Sequence, residues 1–176
     1  MKKLTLLSLI IPILSFGQII KEGSRQIHLD FHTSGLIENV GEKFSKEQFK
    51  EALKIGNVNS INIFGKGHHG YSYYNTKIGT RHPYLKFDLL KEQIEACHEM
   101  GVTAQVYFTV GWSQKDAEDH PEWILKDKNG TTNKLEILKK LGANDRLPNF
   151  TWRLLAPSNG YDEFILKQVE EICMNY

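Results

Sequence analysis

The sequence predicts an α/β fold, the N-terminal portion (about three βα units) of a (β/α)8 TIM barrel. Strand-like and helix-like runs alternate in the order strand, helix, strand, helix, strand, helix, a rhythm of βα units on a parallel sheet. Connections after the helices are short and those after the strands are long, which puts one functional face at the C-terminal ends of the strands. No Gly-x-Gly-x-x-Gly follows the first strand and no phosphate loop occurs, so a nucleotide-binding doubly wound sheet is disfavoured and a barrel remains.

Each element has its own warrant. "RQIHLDFHTS" (residues 25–34) alternates and is rich in apolar and aromatic side chains, which predicts the first strand. "SKEQFKEALKIGN" predicts a helix, with Ser45 as N-cap, Phe49, Leu53 and Ile55 as its apolar stripe, and Gly56 as its stop. "SINIFGK" (residues 60–66) is the second strand. Phe87, Leu90, Ile94, Cys97 and His98 then recur at helical spacing until Gly101. "TAQVYFTVGW" (residues 103–112) is the third strand, followed by a long loop through "DHPEWILKDKNGTTN" with a turn at Asn129-Gly130. "GYDEFILKQVEEICMNY" closes the chain as an amphipathic helix on Phe164, Ile165, Val169 and Ile172.

Length and composition bound the function. The 176 residues suffice for one domain with a core, and 40% apolar with 24% charged residues is ordinary globular composition. A formal net charge of +1 offers no basic field for nucleic acid and no acidic solvating block. Residues 1–17 have two lysines, an apolar run over residues 4–14 and small residues at Ser15 and Gly17, the layout of a secretory signal peptide cut after Gly17. A retained anchor is the alternative, although the run is too short to span a bilayer. Cleavage leaves residues 18–176 as a near-neutral, secreted or periplasmic domain with no membrane attachment. Cys97 and Cys173 lie in helical patterns and are expected as buried free thiols, with a disulfide as the alternative. Asn129 and Asn149 open glycosylation sequons that matter only in a eukaryotic secretory pathway.

The residues that carry chemistry cluster at the predicted strand ends. Alternation puts His28, Asp30 and His32 on one face of the first strand, opposite Leu29 and Phe31. A carboxylate between imidazoles can orient them, bind a metal or grip sugar hydroxyls; a satisfied polar layer is the structural alternative, chiefly for His28. His68 and His69 occupy the equivalent place after the second strand, in "FGKGHHGYSYY". Tyr71, Tyr73 and Tyr74 are either substrate platforms or loop packing. Tyr107 and Trp112 come from the third strand, and Trp112 could stack a sugar ring. Trp123 and Trp152 read as loop packing, and Glu118 and Asp119 as exposed acidic surface. Asp-x-His followed by Thr-Ser also resembles PHP-type phosphoesterases, and strand histidines resemble amidohydrolases. Both of those families use His-x-His where this chain has His-x-Asp-x-His, so a metal-dependent hydrolase is an alternative only.

"KGHHGYSYY" resembles the Lys-His-His-Asp-Gly-Phe element of α-L-fucosidases, glycoside hydrolase family 29, in which paired histidines contact the sugar. "HTS" resembles the position of that family's sugar-binding histidine, and "YFTVGW" its Tyr-x-Ser-x-x-Trp strand. Closer still, "QIHLDFHTS", "HHGYSYY", "HPYLKFDLL" and "NGYDEF" are similar to a set of hypothetical glycosyl hydrolase barrels, over most of residues 25–176. Two departures from the fucosidase pattern are Gly67 before the histidine pair and Gly70 in place of Asp.

The resemblance implies an exported, α-L-fucosidase-like glycoside hydrolase acting on an extracellular glycan, with no cofactor and no metal. It implies sugar binding by His32, His68, His69, Tyr71, Tyr107 and Trp112, and a nucleophilic Asp on a fourth strand expected beyond Tyr176. Within the chain, Asp30 is the one carboxylate well placed for catalysis, contacting the sugar or supporting the residues that do rather than serving as the acid. A non-catalytic carbohydrate-binding barrel is the runner-up. With three units and open sheet edges, the 176 residues alone are expected to be inactive and poorly folded.

Overall fold

The computed structural model describes residues 24–130, 152–157 and 160–176. Along the chain run β1 (Gln26–His28), α1 (Lys46–Ile55), β2 (Ser60–Lys66), two short strands β3 (Tyr71–Ser72) and β4 (Thr80–Arg81), α2 (Leu89–Met100) and β5 (Thr103–Phe108). After these come α3 (Gln114–Asp119), a single 3-10 turn (Pro121–Trp123) and α4 (Tyr161–Asn175). The result is a mixed α/β structure whose main pairings are parallel: β2 is central, with β1 and β5 as its two parallel neighbours. Among the described residues no helix is long and apolar enough to cross a membrane.

Local chemistry sets the element ends. Ser45 Oγ accepts the Gln48 amide at the start of α1, and the Asp88 carboxylate accepts the Lys91 amide at the start of α2. Gly101, at φ +64°, turns the chain out of α2 in the left-handed conformation that a glycine adopts without a Cβ clash. Along β2, Ile61 and Ile63 point to the helices, where they join Leu53, Leu90, Ile94, Cys97, Val102 and Ile172 in the main core. Asn62 and Phe64 point the other way. Between Phe64 and Lys66 the register against β5 shifts by one residue, with Gly65 as the extra residue, so Lys66 pairs with Phe108 and turns to the helix-covered face.

Several expectations need correction. β1 is shorter than residues 25–34, because beyond Leu29 the backbone leaves the ladder and bonds side chains instead, as when the Thr33 amide donates to Tyr73 Oη. β5 stops at Phe108 rather than Trp112, and the loop after it contains α3 and the 3-10 turn. Ile55 is 77% exposed at the C-terminal end of α1, and His98 is exposed on α2. Phe87 precedes α2, whose capping residue is Asp88. In α4 the inward positions include Tyr161 and Gln168, whereas Val169 is exposed. Both cysteines are free, but only Cys97 is buried; Cys173 lies on the outer side of α4. The proposed signal peptide, residues 1–17, and the Asn149 sequon lie outside the described residues.

Candidate functional site

The open face of the sheet carries a polar layer. Gln26 donates to Asn62 Oδ1 at 3.2 Å and to Gln105 Oε1 at 3.0 Å, and Ser60 Oγ donates to Gln105 Oε1 at 3.1 Å. His28 belongs to this layer: its Nδ1 lies 3.3 Å from Asn62 Nδ2, so in that bond it is the acceptor, and its ring meets Phe64 and Tyr107 edge-on. Its position is that of the satisfied polar layer foreseen as its structural alternative.

One step toward the strand ends, three imidazoles gather. The rings of His32 and His68 stack at a centroid distance of 4.0 Å and 15°. Their hydrogen bonds fix which nitrogens carry protons. The backbone amide of His68 donates to His32 Nδ1 at 2.9 Å, so the ring proton of neutral His32 sits on Nε2, where it meets Asp30 Oδ1 at 3.1 Å. Thr109 donates its hydroxyl proton to the Trp112 carbonyl at 2.7 Å, so the 2.8 Å bond between Thr109 Oγ1 and His68 Nδ1 takes its proton from the imidazole. His68 Nε2 is therefore left as an acceptor, approached by the Tyr107 hydroxyl at a long 3.4 Å. Trp152 Nε1 donates to His69 Nε2 at 3.2 Å, which puts the proton of neutral His69 on Nδ1.

Electrostatics favour the same neutral forms. Burial, assisted by the neighbouring His32, pushes His68 down to about 4, against a smaller opposing pull from Asp30. Burial also lowers His32, more than Asp30 raises it, and lowers His69, with His32 and His82 adding to the effect. Near neutral pH the three imidazoles are uncharged, and the one ring acceptor, His68 Nε2, belongs to a ring set near Tyr107, Trp112 and Trp152. A hydroxyl-bearing ligand could exchange its O–H for the weak Tyr107 contact there.

Of the expected site residues, His32, His68, His69, Tyr107 and Asp30 come together. Asp30, 69% exposed at its side chain, takes the His32 Nε2 contact and so orients that ring. Trp112 stands at the edge, its ring 6.3 Å from His68. Tyr71 goes elsewhere, packing edge-on against His82 and filling the space beside Gly35, where a Cβ would come within 2.4 Å of its hydroxyl. Tyr73 and Tyr74 are fully buried packing residues. Trp123 is packing too, stacked on His120 and set against Tyr161, and Glu118 and Asp119 form an exposed surface on α3. Among the described residues, no group of three or more His, Cys, Asp or Glu side chains is arranged to hold a metal ion.

Trp152 corrects the sequence reading. Its ring lies 4.6 Å from His68, 5.3 Å from His32 and 5.7 Å from His69. The segment that carries it is stitched beside the end of the third βα unit by amide bonds from Ser113 to the Arg153 carbonyl and from Leu155 to the Gly111 carbonyl. Nothing in its local sequence marks that pairing, which joins residues some forty positions apart. A second missed group holds the His32 loop. Tyr73 Oη bonds Thr33 at both its amide and its hydroxyl, and His82 Nε2–H donates to the Ser34 carbonyl at 3.0 Å, its Nδ1 accepting from the Tyr84 amide. "HPY" was visible as a motif, but its contact with residues 33–35 was not.

Imidazoles and indoles thus gather near the C-terminal ends of the parallel-paired strands β1, β2 and β5. The chain belongs to the family described as hypothetical glycosyl hydrolase 6, whose model matches residues 45–176. Among solved structures it is similar to alpha-L-fucosidase isoenzyme 2 from Paenibacillus thiaminolyticus, with 38% identity, a TM-score of 0.75 and 86% of this chain covered. The match takes in 22% of that fucosidase, so the chain spans about a fifth of its length. A family 29 alpha-L-fucosidase from Bacteroides thetaiotaomicron aligns at 20% identity and a TM-score of 0.47, over 76% of this chain and 25% of its own. No curated protein matches the sequence.

Proposed function

We propose that this chain is the sugar-binding N-terminal part of a (β/α)8 glycoside hydrolase of α-L-fucosidase type, exported by a signal peptide at residues 1–17 and acting on an extracellular glycan. The observation that carries the reading is the neutral histidine cluster: His68 Nε2 held as an acceptor, with Tyr107, Trp112 and Trp152 around it. Hydrogen bonding to ring hydroxyls and stacking of C–H faces on aromatic planes are what a pyranose site requires. His32, His68, His69, Tyr107 and Trp152 are the sugar contacts in this proposal, and Trp112 forms the rim.

Hydrolysis of a glycosidic bond uses two carboxylates that flank it. Asp30 is occupied in orienting His32, and the nucleophile is assigned to an Asp on a fourth strand of the barrel. A panel of aryl glycosides assayed with the complete protein tests the proposal. Turnover of an aryl α-L-fucoside is expected, and silence across the panel would overturn the enzymatic reading. Because Asp30 acts as an orienting group, a barrel that binds sugar without cleaving it is the second reading, recognised by saturable sugar binding with no turnover.

A further inference from the structure

Behind the histidines lies a buried ion pair that none of the sugar contacts uses. Lys66 Nζ reaches Asp116 Oδ2 at 2.6 Å, with Lys66 at 0% and Asp116 at 2% exposure. The same ammonium donates to Gln168 Oε1 on α4 at 3.3 Å and stands over the rings of Phe108 at 5.5 Å and Phe164 at 5.3 Å. Lys66 reaches these partners because the extra residue Gly65 turns it to the helix-covered face. A buried ion pair is a poor source of net stability, since desolvating both charges offsets most of their attraction. What it does fix is position.

The positions concerned are those of the histidine pair. Lys66 ends β2, and His68 and His69 follow it after the single residue Gly67. The carbonyls of His68 and His69 accept the amides of Gln114 and Lys115, each at 3.0 Å, so the loop rests on the first turn of α3. Gly70 (φ +87°) lies so close that a Cβ there would fall 2.4 Å from Ser113 Oγ and 2.9 Å from the Lys115 amide nitrogen. A six-residue helix has too few hydrogen bonds to set its own place, and Asp116 is its buried charged tether. The Lys66 carbonyl also takes the Thr109 amide at 3.2 Å, and Thr109 holds His68 Nδ1.

We propose that Lys66 and Asp116 are positioning residues, which clamp α3 against β2 and thereby set the register and the ring protonation pattern of His68 and His69. The inference rests on the sugar-binding reading for its purpose, but not for its geometry. The test therefore reads the imidazoles directly, by long-range proton–nitrogen NMR of 15N-histidine-labelled intact protein. Wild type is expected to give His68 protonated on Nδ1 and His69 on Nδ1.

The double variant Lys66→Met/Asp116→Leu removes both charges together and leaves no lone buried ion. In it, His68 and His69 are expected to become tautomer mixtures, with His28 unmoved, and affinity for any aryl glycoside that wild type binds is expected to fall about tenfold or more. A folded double variant with unchanged His68 and His69 signals overturns the proposal. If the double variant does not fold, Asp116→Asn is read by the same criterion. Displaced imidazoles in a protein that binds no glycoside would uphold the clamp and sink the sugar reading instead.

Discussion

The two faces of β2 are built on opposite principles. Toward the helices, Ile61 and Ile63 are almost fully buried at 2% and 0% exposure, in a continuous apolar cluster that α1, α2 and α4 all enter. Toward the open face, Asn62 lies among Gln26, His28 and Gln105 and is held by directional bonds. The first face tolerates little change in volume, since interiors are close-packed. The second can trade partners, because Gln26, His28 and Gln105 are exposed and Asn62 is half-buried. The helix side of this seven-residue strand is mainly apolar, whereas the other side combines the polar layer and the histidine cluster with Phe64, 2% exposed in a second apolar cluster.

The sharpest way to break that division is Ile63→Ala. It should cost about 2–5 kcal/mol through lost transfer energy and the cavity left behind, read as a fall in denaturation midpoint with little change in slope. A loss below 1 kcal/mol would mean that the helix face is loosely packed. Gly70→Ala tests the seam between the faces. Its positive φ and the nearby Ser113 hydroxyl make any Cβ strained, so about 1–3 kcal/mol of stability should go, and sugar binding should weaken with it.

On the open face, His68→Ala should weaken binding of an accepted aryl glycoside by about 1–3 kcal/mol, through loss of its ring acceptor. The melting temperature should change less than for Ile63→Ala. The reverse order would make His68 structural.

The pH dependence separates the faces further. His68 binds a proton at about 4 in the folded chain and near 6.5 in the unfolded one, so the unfolded state takes up more protons between those values. Stability from this group is complete above about 6.5 and declines as pH falls toward 4. The decline should be modest for a half-solvated ring. Binding should stay level from pH 8 to 5, while the acceptor remains neutral. A titration of binding centred near 6.5 would contradict the assignment. Smallest of all, Asn62→Ala should cost less than about 1.5 kcal/mol, the net worth of an ordinary hydrogen bond, measured by the same melts.

The same division explains what the sequence disclosed. β2 and β5 were legible because β-branched and aromatic residues alternate there, and α1 and α2 because Ser45 and Gly101 mark ends that local geometry determines. His32, His68, His69 and Tyr107 were legible by their place at strand ends. Trp152, Tyr73 and His82 were not, since each acts through a partner far along the chain. Lys66 was hidden for a different reason: period-two alternation assigns it to the face of Asn62 and Phe64, and only the extra residue Gly65 reverses it. Val169 and Ile55 illustrate the converse, apolar side chains at helical spacing that point to solvent.

Glu171 on α4 accepts the Thr76 hydroxyl and the Lys77 amide, both at 2.6 Å, across 95 and 94 residues of chain. Gln168 reaches back 102 residues to Lys66. During synthesis β2 and the histidine loop leave the ribosome long before α4 exists. At about 5–20 residues per second the wait is on the order of 5–20 s. For that interval the segment from Lys66 to Gly79 lacks the contacts that later fasten it. Such late, long-range closures slow folding, so the segment from Lys66 to Gly79 gains these fastenings only once α4 has formed.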